Sequence, residues 1–463
     1  MDTLLELERE KEYSHRLIKA VLDKYDYLDT KEKAFIKRVT EGTLERRLEL
    51  DYYLDYYSKL PVRKMRPFIR CLMRMGVYQL LYMDQVPDSA VCDEACKLAA
   101  KRGFQDLKGF VNGVLRTVSK NKDRLPLPDG KEQPVRNLSV RYSMPEWLVE
   151  LWIGEYGFGI TEKILEGLLD IHPVSLRFSS LLPEGERELL RAQMGRTGAA
   201  LAQSPYLPYV YLVKDADNIS SLPGFSRGMC TVQDAGSVLA VEAAGIRGED
   251  FVVDVCAAPG GKSILASEKA ERGRVLARDV SEEKAALIRE NIGRMKAGNI
   301  DVQVFDGRHT DEALVGRADV VLLDVPCSGL GVAGKKRDVK YRVTREGMAG
   351  LTSLQREIAA ASARYVKPGG ILLYSTCTIH SGENEELVRF FTRELGFEPV
   401  SLEGAVPARL WEERACLRED MRKAGIDPDR GLTREEGDAC VQLLPGYMET
   451  DGFFFAKLRR GRE

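Results

Sequence analysis

From Thr231 onward the chain alternates short apolar runs with amphipathic stretches, a pattern few folds can accommodate. The runs are FVVDV (251–255), RVLARD (274–279), DVQVF (301–305), ADVVLLD (318–324) and GILLYSTC (370–377). Between them lie segments such as SEEKAALIRENIGRMKA (281–297) and LTSLQREIAAASARYV (351–366), with apolar residues three and four apart. Continuous apolar runs suit strands buried on both faces, and strands alternating with helices make a mostly parallel sheet covered on both sides. The last run, CVQLLPGYMETDGFFFAKLRR (440–460), predicts two strands joined by a turn at an antiparallel sheet edge. Before it, residues 410–438 are dense in charge and predict a surface insertion.

A chain of 463 residues has room for about three domains. Residues 1 to about 125 carry helical spacing, as in KAFIKRVTEGTLERRLELDYYLDYY (33–57) and RPFIRCLMRMGVYQLLYM (66–83). DSAVCDEACKLAAKRG (88–103) opens on Asp88-Ser89, a candidate N-cap, and stops at Gly103. Residues 123–137, rich in proline and charge, predict a linker. The strand-like runs VSLRFSS (174–180) and YVYLV (209–213) flank a helical stretch near Glu184–Met194, which predicts a small α/β module. The expected domains are therefore 1–135, 136–230 and 231–463.

Charge and composition remove several function classes. No window approaches the ~20 apolar residues of a membrane span, and the charged N-terminus lacks the apolar core of a signal peptide, so a cytoplasmic location is expected. Nine scattered cysteines argue against a disulfide framework, and four histidines against a zinc site; no metal is expected. The net charge of −2 is silent about nucleic acid, but two clusters are basic. Between Lys97 and Arg124 eight residues are Lys or Arg against two acids, and between Lys335 and Arg345 six against one. Such strips can neutralise phosphates, although a solvated helix face is the plainer reading of either alone.

FVVDVCAAPGGKS (251–263) places a strand before an Ala-Pro-Gly-Gly turn and a helix. Glycines let a ligand approach the backbone, and the helix start offers N–H groups. A phosphate-binding P-loop would need glycine five positions before Gly261, where Cys256 stands. The VVLLD strand could still imitate the magnesium-binding strand of an NTPase, which keeps that alternative open. Asp279 ends the second strand, placed for ribose hydroxyls, and Asp306 follows the third, placed for an adenine edge. With Asp324 they make a row of acids that repels a triphosphate without magnesium and tolerates a sulfonium, which points to S-adenosylmethionine.

Two thiols, Cys327 and Cys377, follow the C-terminal ends of parallel strands, where open α/β sheets bind ligands. A thiol beside a methyl donor suits a pyrimidine, whose carbon 5 is a poor nucleophile until a thiolate adds to carbon 6. Asp324 is a candidate to draw charge from the ring during addition. Spacing alone leaves open which thiol attacks.

At CAAPGGK (256–262), DVPCSG (324–329) and YSTCT (374–378) the chain resembles the RNA 5-methylcytosine methyltransferases of the RsmB/Sun (Fmu) group within the Nop2/Sun superfamily. GTLERRLELDYYLDYYSKLP (42–61), residues 74–103 and LKGFVNGVLR (107–116) are similar to that group's NusB-like domain, while VQDAGS (232–237) and TDGFFFAKL (450–458) extend the likeness. The resemblance implies an all-α NusB-like domain, a small α/β module and an α/β Rossmann-like class I methyltransferase domain. It implies that Cys377 is the nucleophile and that Cys327 assists breakdown of the adduct. It places the cofactor contacts at Cys256, Ala257, Ala258, Pro259, Gly260, Gly261, Lys262, Asp279, Asp306 and Asp324. One departure stands at Arg337, where the family commonly has proline; Asn384, in HSGENEE (380–386), is left as structural.

By resemblance the substrate is a cytosine of 16S rRNA, cytosine 967, in free RNA or a small-subunit assembly intermediate, acted on by a monomer. The NusB-like domain and the middle module would grip RNA, and the strip 335–345 would lie beside the target. A different RNA target, a P-loop NTPase and a non-catalytic RNA-binding assembly factor are the rival readings.

Overall fold

The structure is a computed structural model that describes residues 1–9, 14–25, 27–170, 173–214 and 218–462. It divides into two compact units. Unit one holds residues 1–153 with 335–342, and unit two holds 154–334 with 343–463.

Unit one is helical. Helices Thr30–Glu45, Arg47–Tyr57, Pro67–Tyr82, Asp88–Lys101 and Lys108–Asn121 bury Leu50, Leu54, Ile69, Leu72, Val77, Ala99, Val111 and Leu115 in one core. Asp88 lies in the first turn of its helix after Pro87 instead of capping it, and its carboxylate accepts from Ser119 Oγ at 2.6 Å. Beyond the proline-rich stretch, helix Pro134–Arg141 packs on Arg47–Tyr57, so the chain passes between units at Ile153, inside helix Glu146–Tyr156.

Residues 335–342 of the strip that follows the Pro-Cys motif also belong to unit one. Asp338 accepts from Ser14 N and Oγ at 2.9 and 2.7 Å, and Arg342 pairs with it at 2.7 Å. Arg337, the departure from the family pattern, pairs with Glu41 and Glu45 at 3.4 and 3.3 Å. Lys340 is buried, which pulls its amine down to about 7. Of the strip's six cations, Lys336 and Arg345 are exposed, Lys335, Arg337 and Arg342 half-buried, and Lys340 buried.

Unit two contains two sheets. The first is the expected small module, with strands β1 (Val174–Phe178), β2 (Ala200–Gln203), β3 (Val210–Lys214) and β4 (Cys230–Val232) in the order β2-β3-β1-β4, all antiparallel. Helix Glu184–Gly195 packs on it through Leu190 and Met194. Arg177 of β1 is fully buried and bonds Glu268 at 2.7 Å and Gln233 at 2.7 Å, which ties the module to the helix after the glycine turn.

The second sheet runs β10-β12-β9-β8-β5-β6-β7, with β11 paired to β12. Its strands are β5 (Phe251–Asp254), β6 (Arg274–Asp279), β7 (Ile300–Val304), β8 (Ala318–Asp324), β9 (Val366–Thr376), β10 (Phe397–Pro399), β11 (Cys440–Leu443) and β12 (Phe453–Arg460). β5 to β9 are parallel and β10 to β12 antiparallel. Val253, Val321, Leu323, Leu372, Tyr374 and Phe454 fill its core. Since β6 and β8 flank β5 on opposite sides, the strand order reverses there, the place where open α/β sheets bind ligands.

Residues 410–438 lie largely at the surface, as expected, and are anchored by one buried stripe. Helix Ala408–Lys423 buries Leu410, Arg414, Leu417 and Met421 along one stripe. Among the described residues no helix is long and apolar enough to cross a membrane.

Candidate active site

The glycine turn follows β5 directly. Ala257 N bonds Arg278 O at 2.8 Å, Gly260 N bonds Ala257 O at 2.7 Å, and Asn291 Nδ2 bonds Pro259 O at 3.0 Å. Gly260 has φ +102°, a region closed to most side chains, and an added Cβ would lie 3.3 Å from Ile288 Cγ2. Helix Gly261–Lys269 starts there and presents its first N–H groups at the sheet edge. Cys256 is half-buried; burial, followed by the charges of Asp279, Asp254 and Asp324, pushes its thiol up.

The acids occupy distinct positions. Asp279, at the end of β6, accepts from Ala258 N at 3.0 Å, Val280 N at 2.8 Å and Lys284 Nζ at 2.9 Å. Asp324, at the end of β8, accepts from Lys262 Nζ at 2.6 Å and Ser375 Oγ at 2.8 Å. Burial alone would lower the Lys262 amine; Asp324 and Asp254 outweigh it and leave it raised. Asp306 stands apart from these contacts. Its carboxylate turns to Arg308, 2.6 Å away, and that bond holds it at about 2.

Asp254 is a further acid that sequence reading left unassigned. It is fully buried, Oδ2 accepts from Ser263 Oγ at 2.6 Å, and Oδ1 has no partner among the described residues. A buried orphan acceptor, a glycine turn and a row of carboxylates fit a cationic nucleoside ligand; Lys262, Lys284 and Arg308 each pair with one acid of the row.

The two thiols meet across β8 and β9, which are paired so that Asp324 faces Ser375. Cys327 Sγ and Cys377 Sγ are 3.2 Å apart, and both residues are half-buried. The hydrogen bond with Cys377, then burial, pushes the Cys327 thiol well up. Ser328 Oγ and Thr378 Oγ1 bond at 2.7 Å, and Gly331 N bonds Cys377 O at 3.1 Å. An added Cβ on Gly331 would strike Gly452 O at 2.1 Å, so only glycine permits this approach. The structure thus joins the glycine turn with Asp279, Lys262 with Asp324, and Cys327 with Cys377.

Sequence reading missed the supports of this centre. Glu383 and Asn384, on the segment that follows Cys377, and Gln355, on helix Arg345–Ala363, are fully buried polar side chains. HSGENEE showed only that polar residues follow Cys377, not what they reach.

This sheet, turn and row of acids define a Rossmann-like methyltransferase domain that uses S-adenosylmethionine. Residues 243–459 match the family described as 16S rRNA methyltransferase RsmB/F, and residues 1–120 match the NusB family. The probable ribosomal RNA small subunit methyltransferase B of Bacillus subtilis (strain 168) is 33% identical over 99% of this chain and 97% of its own. The ribosomal RNA small subunit methyltransferase B of Proteus mirabilis (strain HI4320) is 31% identical over 79% of this chain and 84% of its own. The chain belongs to the family of ribosomal RNA small subunit methyltransferases B. Solved structures share the fold: one superimposes over 99% of this chain and 97% of its own, with TM-score 0.77 at 24% identity. NSun6 from Pyrococcus horikoshii, solved with SFG, covers 69% of this chain and 99% of its own, with TM-score 0.56 at 21% identity.

Proposed function

We propose that the chain methylates carbon 5 of a cytosine in 16S rRNA, cytosine 967 by family resemblance, through a transient bond from Cys377 to carbon 6 of the ring. The observation that carries this is the pair of sulfurs 3.2 Å apart at the ends of β8 and β9. S-adenosylmethionine supplies a methyl group on a sulfonium, and Cys256 through Lys262 with Asp279, Asp306 and Asp324 are the residues that would hold it.

Cys377 Sγ adds to carbon 6, and the electron pair of the carbon 5–carbon 6 double bond moves into the ring, which makes carbon 5 nucleophilic. A protonated Cys327 and the Lys262 cation both favour negative charge on the attacking sulfur. Asp324 faces the same crevice and is the group to engage ring nitrogen 3. Once carbon 5 carries the methyl group, a base takes its proton; the electrons of that C–H bond restore the carbon 5–carbon 6 double bond, and the carbon 6–sulfur pair leaves with Cys377 as thiolate. Cys327 assists this breakdown. The target base leaves its stack to reach both sulfurs, with RNA held mainly by phosphate contacts from the NusB-like domain and the small module.

Paired substitution with radiolabelled cofactor and 16S rRNA tests the reading. Cys377→Ala should abolish both methylation and adduct, whereas Cys327→Ala should accumulate an adduct that survives denaturing electrophoresis. The reverse pattern would exchange the two roles. Product nucleosides lacking 5-methylcytosine would overturn the assignment of carbon 5.

A further inference from the structure

Consecutive residues behind the site reach both thiol loops. The Glu383 carboxylate is fully buried; its Oε2 accepts from Ser328 N at 2.9 Å and from Gln355 Nε2 at 2.8 Å. That same Gln355 nitrogen donates to Pro326 O at 2.9 Å. Both peptide neighbours of Cys327 are therefore tied, directly or through one amide, to Glu383. The next side chain, Asn384, is also fully buried. Its Oδ1 accepts from Thr376 Oγ1 at 2.6 Å, and its Nδ2 donates to Thr378 O at 3.2 Å and Gln442 Oε1 at 2.9 Å. Both neighbours of Cys377 are thus tied to Asn384.

We propose that Glu383 and Asn384 are a positioning pair that sets the separation of the two catalytic sulfurs, Glu383 holding the Cys327 loop and Asn384 the Cys377 loop. The bonds of Glu383 and Asn384 run to backbone, amide and hydroxyl groups beside the sulfurs, and the charge of Glu383 also pushes the Cys327 thiol up. The two anchors are joined by one peptide bond, so a shift of either loop is resisted by the other. Two sulfurs that must act in turn on one ring need such a fixed distance, since a displacement of about 1 Å in a reacting group can cost about a hundredfold in rate. The inference rests on the reading that both thiols serve one base, but its test does not.

The probe is disulfide capture by diamide in the full-length protein without RNA or cofactor. The two thiols lose two protons and two electrons to form the S–S bond, and the diazene takes up both as a hydrazine. The Cys327–Cys377 peptide is quantified by mass spectrometry. Glu383→Ala and Asn384→Ala should slow capture by about tenfold or more, while Glu383→Gln, which keeps the acceptor, should stay within about threefold. Alkylation of the single thiols by iodoacetamide should change little, which separates altered distance from general loosening. With RNA, kcat should fall and the RNA KM stay constant. Should Asn384→Ala fail to fold, Thr376→Val removes only the hydroxyl that Asn384 accepts and should slow capture in the same sense. Wild-type capture rates in Glu383→Ala together with Asn384→Ala, or with Thr376→Val in its place, would overturn the proposal. Slowed capture, with Cys377→Ala still methylating, would sustain the positioning pair and sink the covalent mechanism instead.

Discussion

Asp254 shows how one residue at the cofactor turn couples to pH. Burial drives its carboxyl up to about 7; Ser263 and Lys262 oppose this in part, while Asp324 and Asp279 add to it. The unfolded carboxyl titrates near ~3.9. Between those values the native state holds a proton that the unfolded state has lost, so this contribution is full below about pH 4 and disappears as pH rises through about 7. Asp254→Asn is neutral throughout and removes that slope. Its stability relative to wild type should climb between pH 5 and pH 8 by on the order of 2–4 kcal/mol, read from urea midpoints without cofactor. A difference that is flat across that range would show that Asp254 titrates normally.

The residues legible in advance share one property, a position set by local sequence. Asp279, Asp324, Cys327 and Cys377 each sit at or just past a strand end, and strand ends can be located from apolar runs. Glu383 and Asn384 could not be assigned in that way. Their partners Ser328, Gln355 and Gln442 lie 55, 28 and 58 residues away, and nothing in a one-dimensional pattern reports such contacts. Asp306 marks the opposite limit: its place after β7 is as expected, yet the side chain is held by Arg308 two residues on.

Among the elements, the central parallel strands were visible because burial on both faces leaves an uninterrupted apolar signature, whereas β7, at the sheet edge with no buried residue, showed only an alternating run. Helix Ala408–Lys423 was not visible, since its charge hides a stripe spaced by four, three and four residues, with Arg414 at its second position. Arg414 explains why a cation lies on the buried side: it donates to Gly437 O at 2.5 Å and Cys440 O at 3.1 Å, joining the helix to the start of β11. Arg414→Ala would leave two carbonyls without that donor, costing about 2–3 kcal/mol in chemical denaturation. Arg422→Ala, on the exposed side of the same helix, should change stability by less than ~0.5 kcal/mol. Equal effects at the two positions would show that the Arg414 bonds do not anchor the helix. At residues 335–342 a run of cations resembles a phosphate-binding strip, and the sequence does not show that Arg337 within it pairs with Glu41 and Glu45 on a distant helix.

Taken as a whole, a molecule with net charge −2 must bind RNA through local fields, not its total charge. With the 335–345 strip largely engaged inside unit one, the 97–124 segment is the stronger candidate for phosphate contact. Seven of its eight cations are exposed. Lys97, Arg102 and Lys122 already pair with Asp93, Asp2 and Asp88. Lys101, Arg116, Lys120 and Arg124 form no ion pair among the described residues, so no carboxylate competes with a phosphate for them. If each neutralises one phosphate, changing all four to Gln should lower the slope of log K against log salt by about 3, at ~0.7 per contact on single-stranded RNA. Titration of a labelled 16S rRNA fragment between low and moderate salt measures that slope, and Lys97→Gln with Lys122→Gln provides the paired-cation comparison. An unchanged slope in the fourfold variant would move the grip to unit two. Because phosphate contacts place RNA without touching the reacting ring, the fourfold variant should lose kcat/KM at low RNA yet keep kcat at saturation, the reverse of the pattern expected for Asn384→Ala.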